Sequence, residues 1–302
     1  MNLLKKFTFA PIFLISFAFF GSQLDLVLKI PNLVFSLSLD TLIALLTLTA
    51  LALISSLFFI LFSSFVQDWI YSLPLSLLGS VILIFFLPSN INIVLGGLSL
   101  LAFSLIFLPL RNQLITYLNF HPTTLLTPSI KQLASLLIII ASIGYFLSIN
   151  QDIEKNGFKI PDSLIDNALK FVPQSQNNDL NSLQNNLPGV SSDQLNLLKQ
   201  NPSLLKQAGI DPSLLNNLST TQTSPSSLIK DTVNNQLQNI IAPYKQFIPF
   251  GLSLLLYFSL SFFLSIMELL LNPLIWLIFL ILEKTNFIRF SIEMREVKKM
   301  MV

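Results

Sequence analysis

The sequence predicts an all-α polytopic membrane protein with about six transmembrane helices and a helical extracytoplasmic insertion. Three observations carry this reading. The chain of 302 residues is 53% hydrophobic but only 11% charged, with a mean hydropathy of +0.71, whereas a soluble domain holds about 25% charged residues. Its apolar residues gather in six runs, each close to the roughly 20 residues that a hydrocarbon core of about 30 Å demands. A single long polar stretch, 150–246, separates the fifth run from the sixth.

The first span is expected from Phe7 to about Gln23, with Leu28 as its furthest reach. Lys5 and Lys6 ahead of it read like the start of a signal peptide, but a cleavage site needs small residues before the cut. Ser16-Phe17-Ala18 is the best candidate, and cutting there would leave a very short apolar core. An uncleaved signal anchor is therefore expected. The second span is Leu42 to Val66 with Asp40 as its cap, and the third is Ile70 to Leu87. Pro88-Ser89-Asn90 makes a tight turn into the fourth, Ile91 to Leu110, and the fifth runs from Gln132 to Ile149. These five spans form a membrane domain over residues 1–149.

The sixth apolar stretch, 247–282, corresponds to roughly 54 Å of helix at about 1.5 Å per residue, too long for one straight crossing. The expected arrangement is one crossing to about Leu271 and a break at Asn272-Pro273, because asparagine suits an N-cap and proline the first helical position. Leu274 to Leu282 then lies in the interface or packs on other helices, with Trp276 at the headgroup level.

Lysine and arginine in short loops set orientation. Lys5, Lys6, Arg111, Lys131, Lys284, Arg289, Arg295, Lys298 and Lys299 fall on one side, against Lys29 on the other. Both termini are therefore expected in the cytoplasm and the 150–246 insertion outside. The lysines within the insertion do not oppose this, since long domains translocate largely regardless of charge. Lysine far outnumbers arginine, and Asn and Gln abound. That usage fits an AT-rich bacterial genome and hence a bacterial plasma membrane.

The insertion is Asn/Gln-rich and poor in aromatic residues, yet helical periods run through it. Leu164, Ile165, Ala168, Leu169 and Val172 share a stripe, Ser191 and Gln194 match a capping box, and Asn201-Pro202 and Asp211-Pro212 repeat a cap-then-proline start. Ser224-Pro225 opens a longer helix with Ile229, Val233, Leu237 and Ile240 on one face, whereas 174–186 reads as a linker. Such helices cover their own leucines or lie on the bilayer surface, or else form a module that binds a protein partner. In the tail, 283–302, Phe287, Phe290, Met294, Val297 and Met301 recur at spacings of three and four, the pattern of an amphipathic cytoplasmic helix suited to anionic lipid.

Chemistry is sparse. There is no cysteine and a single histidine, His121, which removes thiolate chemistry and the HExxH zinc motif. No Walker loop or GxSxG elbow occurs, so no cofactor or metal is expected. A net charge of +2 argues against nucleic acid as a partner. The candidate membrane-embedded polar residues are Glu268 and Arg111, because a charge inside a span is costly and often functional. Glu268 falls near the cytoplasmic boundary, where Arg111, Lys131 or Lys284 can neutralise it. Asp25 and Lys29 have helix-neighbour spacing, Asp68 sits in a short inner turn, and His121-Pro122 belongs to a solvated loop. Ser76 and Ser80, Gly144 and Ser148, and Ser261 and Ser265 are small-residue pairs of the kind that let helices approach. The expected role is a non-enzymatic membrane scaffold or interaction protein. A small-molecule channel or transporter is the alternative, and a lipid-modifying enzyme ranks third.

Overall fold

The computed structural model describes residues 7–30, 33, 38–117, 121–156 and 242–288. Among them every regular element is helical: α1 (Phe9–Leu28), α2 (Leu39–Val66), α3 (Trp69–Phe86), α4 (Asn92–Thr116), α5 (Pro122–Asn156), a 3₁₀ segment over Ala242–Phe247, α6 (Ile248–Glu268) and α7 (Leu271–Lys284). Six of these, α1 to α6, are long and apolar enough to cross a membrane. The chain divides into one unit of residues 1–155 and 249–302 and another of 156–248. Nearly all of the second unit, with the helices expected in the insertion, lies outside the described residues, as does the tail beyond Ile288.

Phenylalanine fills the centre of the first unit. On α1, Phe13, Phe17, Phe20 and Leu24 are wholly buried, spaced four and three apart so that they form one stripe. That stripe packs on α2 and α3. Phe13 meets Phe59 of α2 at 5.3 Å and Phe103 of α4 at 5.4 Å between ring centroids, and Phe59 meets Phe103 at 4.6 Å. Between helices in lipid no hydrophobic force distinguishes a neighbour from an acyl chain, so close packing must supply the cohesion. Aromatic pairs contribute about 0.5–1.5 kcal/mol each beyond area burial.

The third helix answers these rings with small residues. A Cβ on Gly79 would lie 3.3 Å from Phe13 Cζ and 3.4 Å from Phe103 Cε2, so the absent side chain is what admits both rings. Ser72, Ser76 and Ser80 continue the buried face of α3. The hairpin of α3 and α4 is tighter still, for a Cβ on Gly96 would stand 2.6 Å from Ile84 Cγ1. Across it the Ser99 hydroxyl donates to Ser80 Oγ at 3.3 Å. The turn expected at Pro88-Ser89-Asn90 is present, with the Pro88 carbonyl accepting from the Ile91 and Asn92 amides at 3.1 Å each.

Helix ends differ from expectation where polar side chains begin before the helix stops. The cap of α2 is Ser38, not Asp40: Ser38 Oγ accepts from the Thr41 amide and Thr41 Oγ1 from the Ser38 amide, both at 3.2 Å. Asp40 instead lies in the first turn, where a carboxylate suits the positive end of the helix dipole. The fifth helix starts at Pro122, ten residues ahead of Gln132. His121-Pro122 is thus a helix start rather than part of a loop, with the His121 carbonyl accepting from the Leu125 amide at 3.1 Å. Likewise α4 continues to Thr116, so Arg111 stands on a helix, exposed. A helix needs apolar residues only within the hydrocarbon and extends past it wherever backbone bonds persist.

The break in the last apolar stretch falls at Leu269-Leu270, ahead of Asn272-Pro273. There the Leu269 amide donates to the Ile266 carbonyl at 3.3 Å and that of Leu270 to Met267 at 3.0 Å, a tightened last turn. Asn272, expected as the cap, lies in the first turn of α7, as does Pro273, whose missing N–H is not needed there. The same helix stops in a Schellman motif: Asn286 takes φ 53°, its amide donates to the Glu283 carbonyl at 3.0 Å, and that of Phe287 to Leu282 at 2.9 Å.

Ring contacts place the helix ends relative to one another. Phe9 stacks on Phe65 at 5.4 Å, and both meet Phe287 edge-on at 6.3 and 6.2 Å. The start of α1, the end of α2 and the residues after α7 therefore share one end of the bundle, called here the Phe9 end. At the opposite end the Ser148 hydroxyl of α5 donates to the Leu28 carbonyl of α1 at 2.9 Å.

Candidate functional site at the Phe9 end

Two polar contacts tie α5 to the corner between α6 and α7. Lys131 Nζ lies 2.8 Å from Glu268 Oε2, and the Thr127 hydroxyl donates to Asn272 Oδ1 at 2.9 Å. Thr127 and Lys131 are four apart and share one turn of α5, whereas Glu268 ends α6 and Asn272 lies in the first turn of α7, on either side of the break. The lysine is 39% exposed and the carboxylate 21%. An ion pair of that exposure is screened and contributes at most about 1 kcal/mol. Each charge of the pair has the other as its partner.

Of the candidate residues, the structure brings Glu268 to Lys131, one of the three cations expected near it. Arg111 is not part of this contact and stands exposed on α4. Sequence reasoning missed Thr127 and expected Asn272 as a helix cap rather than as its acceptor, although their four-residue spacing from Lys131 and Glu268 was the available signal. Elsewhere Lys29 pairs with Asp25 at 2.6 Å, as their spacing predicted. A Cβ on Gly144 would approach Leu95 Cδ1 to 2.7 Å, and Ser148 one turn on bonds to α1, so that small-residue pair lies in a close contact. Ser261 and Ser265 do not: Ser265 is exposed and donates to the Ser261 carbonyl of its own helix at 2.9 Å.

Two cavities border α5. The first, of about 380 Å³, lies between α5 and α6 and is apolar, lined by Ile139, Ile143, Phe146, Phe250, Leu254 and Tyr257 together with Ser142 and Ser253. Both serine hydroxyls donate to carbonyls of their own helices, Ser142 to Ile138 at 3.0 Å and Ser253 to Phe250 at 2.9 Å. The second, of about 300 Å³, is amphipathic and lies between the start of α5 and α7. In the packed bundle, Ser55, Ser63 and Ser72 keep buried hydroxyls with no hydrogen-bond partner among the described residues.

Chemically, this pair of contacts, called here the latch, holds one carboxylate paired with an ammonium group. Among the described residues no three of His, Asp and Glu converge as a metal site would require. No protein-family model, curated protein or solved structure matches the chain.

Proposed function

We propose that this integral membrane protein is a scaffold or interaction protein without catalytic activity. In this reading it presents residues 150–246 on the outer face of a bacterial plasma membrane and keeps both termini in the cytoplasm. The observation that carries it is the ring cluster of Phe13, Phe17, Phe59 and Phe103, each fully buried, which occupies the space a solute would need to pass between α1, α2 and α4. A membrane domain filled in this way supports anchoring of the long insertion. The orientation rests on charge: Arg111, Lys131 and Lys284 gather toward the Phe9 end, while the opposite end has Lys155 and the neutralised Lys29.

Two measurements test this. Reporter fusions at Asn178 and Gln222 should read outside and one at Val302 inside; Val302 outside would overturn the orientation. Full-length protein in liposomes should leak small solutes no faster than empty liposomes, and proteins crosslinked to the full chain should be lost when 157–241 is replaced by a short Gly/Ser linker. Saturable solute flux would overturn the scaffold reading in favour of the channel or transporter, and partners unaffected by the replacement would remove the insertion's role.

A further inference from the structure

The amphipathic cavity at the start of α5 has a chemistry that the scaffold reading does not use. Its lining combines His121 and Thr123 with Trp276 and Glu283 of α7, beside the apolar Phe279 and Leu280. None of the four polar side chains has a hydrogen-bond or ion-pair partner among the described residues. At about 300 Å³ the cavity is at the lower limit for small-molecule sites, about 300–1,000 Å³, and a few convergent polar groups on an apolar wall are what such sites present.

The depth of this cavity identifies its surroundings. With 14 residues, α7 is roughly 21 Å long, too short to cross. It buries Leu271, Ile275 and Phe279 against the bundle while Leu274, Trp276, Leu277 and Ile281 remain exposed. A short helix that follows a span, packs one stripe inward, exposes another apolar stripe and ends in Glu283 and Lys284 suits the membrane interface, and tryptophan is enriched at headgroup level. The cavity beside Trp276 therefore opens among lipid headgroups.

We infer that this cavity binds the headgroup of an aminophospholipid. The Glu283 carboxylate and the face of the Trp276 indole take the primary ammonium, while the His121 imidazole and Thr123 hydroxyl donate to the phosphate. Phe279 and Leu280 face the glycerol and upper acyl carbons. An anionic headgroup without an amine meets the Glu283 carboxylate and gains nothing from Trp276.

The test is native mass spectrometry of the full-length protein equilibrated with equal amounts of phosphatidylethanolamine and phosphatidylglycerol bearing identical acyl chains. Retention of phosphatidylethanolamine should exceed that of phosphatidylglycerol by about fivefold, the effect of one screened ion pair with a cation–π contact. Glu283→Gln should abolish that preference, Trp276→Leu should reduce it, and Lys284→Gln, one residue outside the cavity, should leave it unchanged. Equal retention of the two lipids, or an unchanged preference in Glu283→Gln, overturns the assignment. Soluble phosphoethanolamine at millimolar concentration should not displace the lipid; displacement would mean that the site reads a free headgroup rather than a membrane lipid.

Discussion

The first four helices and the α6–α7 corner are held in place by different means. In α2 67% of the most apolar segment is buried, against 28% in α6. The α1–α4 bundle coheres through ring on ring and ring on glycine, contacts that depend on shape and extend along whole helices. The α6–α7 corner presents a narrower stripe, Leu252, Leu256, Leu260 and Leu264 followed by Leu271 and Ile275, and adds two polar contacts near its turn. In lipid, where burial alone does not drive helices together, the packed region should carry most of the stability and the corner should be the part that opens at lowest cost.

The largest expected effect comes from emptying the ring cluster. Phe103 is fully buried and touches Phe13, Phe17 and Phe59. Replacing it by alanine should destabilise the protein by about 3–5 kcal/mol, the range for a buried aromatic, seen as a lower unfolding midpoint in a detergent titration. Phe258→Ala on α6, where the ring is 58% exposed, should move that midpoint by only a few tenths of a kcal/mol, as exposed sites do. Equal losses at the two positions would erase the contrast between the regions.

Next in size is overpacking of the α3–α4 hairpin. Gly96→Val introduces a Cβ where Ile84 Cγ1 is 2.6 Å away and the Ser80 carbonyl 3.3 Å, and should cost about 1–3 kcal/mol. Ile84→Ala in the same chain should recover a large part, because the clash lies chiefly with that side chain. Strict additivity of the two losses would mean that the hairpin is not held by this approach. Gly97→Val is the control, since nothing lies within 4 Å of a Cβ there.

These two sites also show where the sequence was legible. Span number and type follow from apolar runs, and the Asp25–Lys29 pair and the Pro88 turn follow from local spacing, so all were readable. The identity of the core was not. Phe17, Phe19 and Phe20 lie within four residues and are chemically alike, yet Phe17 and Phe20 are fully buried and Phe19 is 62% exposed. A span that is apolar on every face carries no amphipathic signal to tell bundle from lipid. Small residues give part of that signal, correctly at Gly144 and Ser148 and not at Ser261 and Ser265. The candidate site was half legible: Glu268 and a short choice of cations could be named, but its bond to Lys131 depends on α5 starting at Pro122, and polar residues hid that start.

A smaller effect is expected at the latch. Lys131→Met and Glu268→Gln, combined in a double-mutant cycle, should show a coupling of about 0.2–1 kcal/mol, reduced by salt because both groups are partly exposed. Thr127→Val and Asn272→Ala should behave as a second, weaker coupled pair. If either coupling instead approached the loss at Phe103, the corner would be as firmly built as the bundle. Limited proteolysis between Leu269 and Lys284 should accelerate in the quadruple variant and stay unchanged in Phe258→Ala, which separates opening of the corner from general loosening.

The smallest effects sharpen the comparison most, because they ask what buried hydroxyls contribute in each region. Ser55 and Ser72 are fully buried, and their hydroxyls have no partner among the described residues, so Ser55→Ala and Ser72→Ala remove a desolvated group without breaking a bond. Both should be neutral or slightly stabilising, since the penalty belongs to the unsatisfied donor. Ser148→Ala instead removes the bond to the Leu28 carbonyl that joins α5 to α1 and should cost about 0.6 kcal/mol, the usual worth of an interhelical bond in lipid. A loss at Ser55 or Ser72 equal to that at Ser148 would mean that the interior of α1–α4 is held by hydrogen bonds as well as by shape. An unchanged midpoint at Ser55 and Ser72 together with a loss at Ser148 would leave serine in the bundle as a small side chain admitted for its volume, and serine at its edge as a fastening.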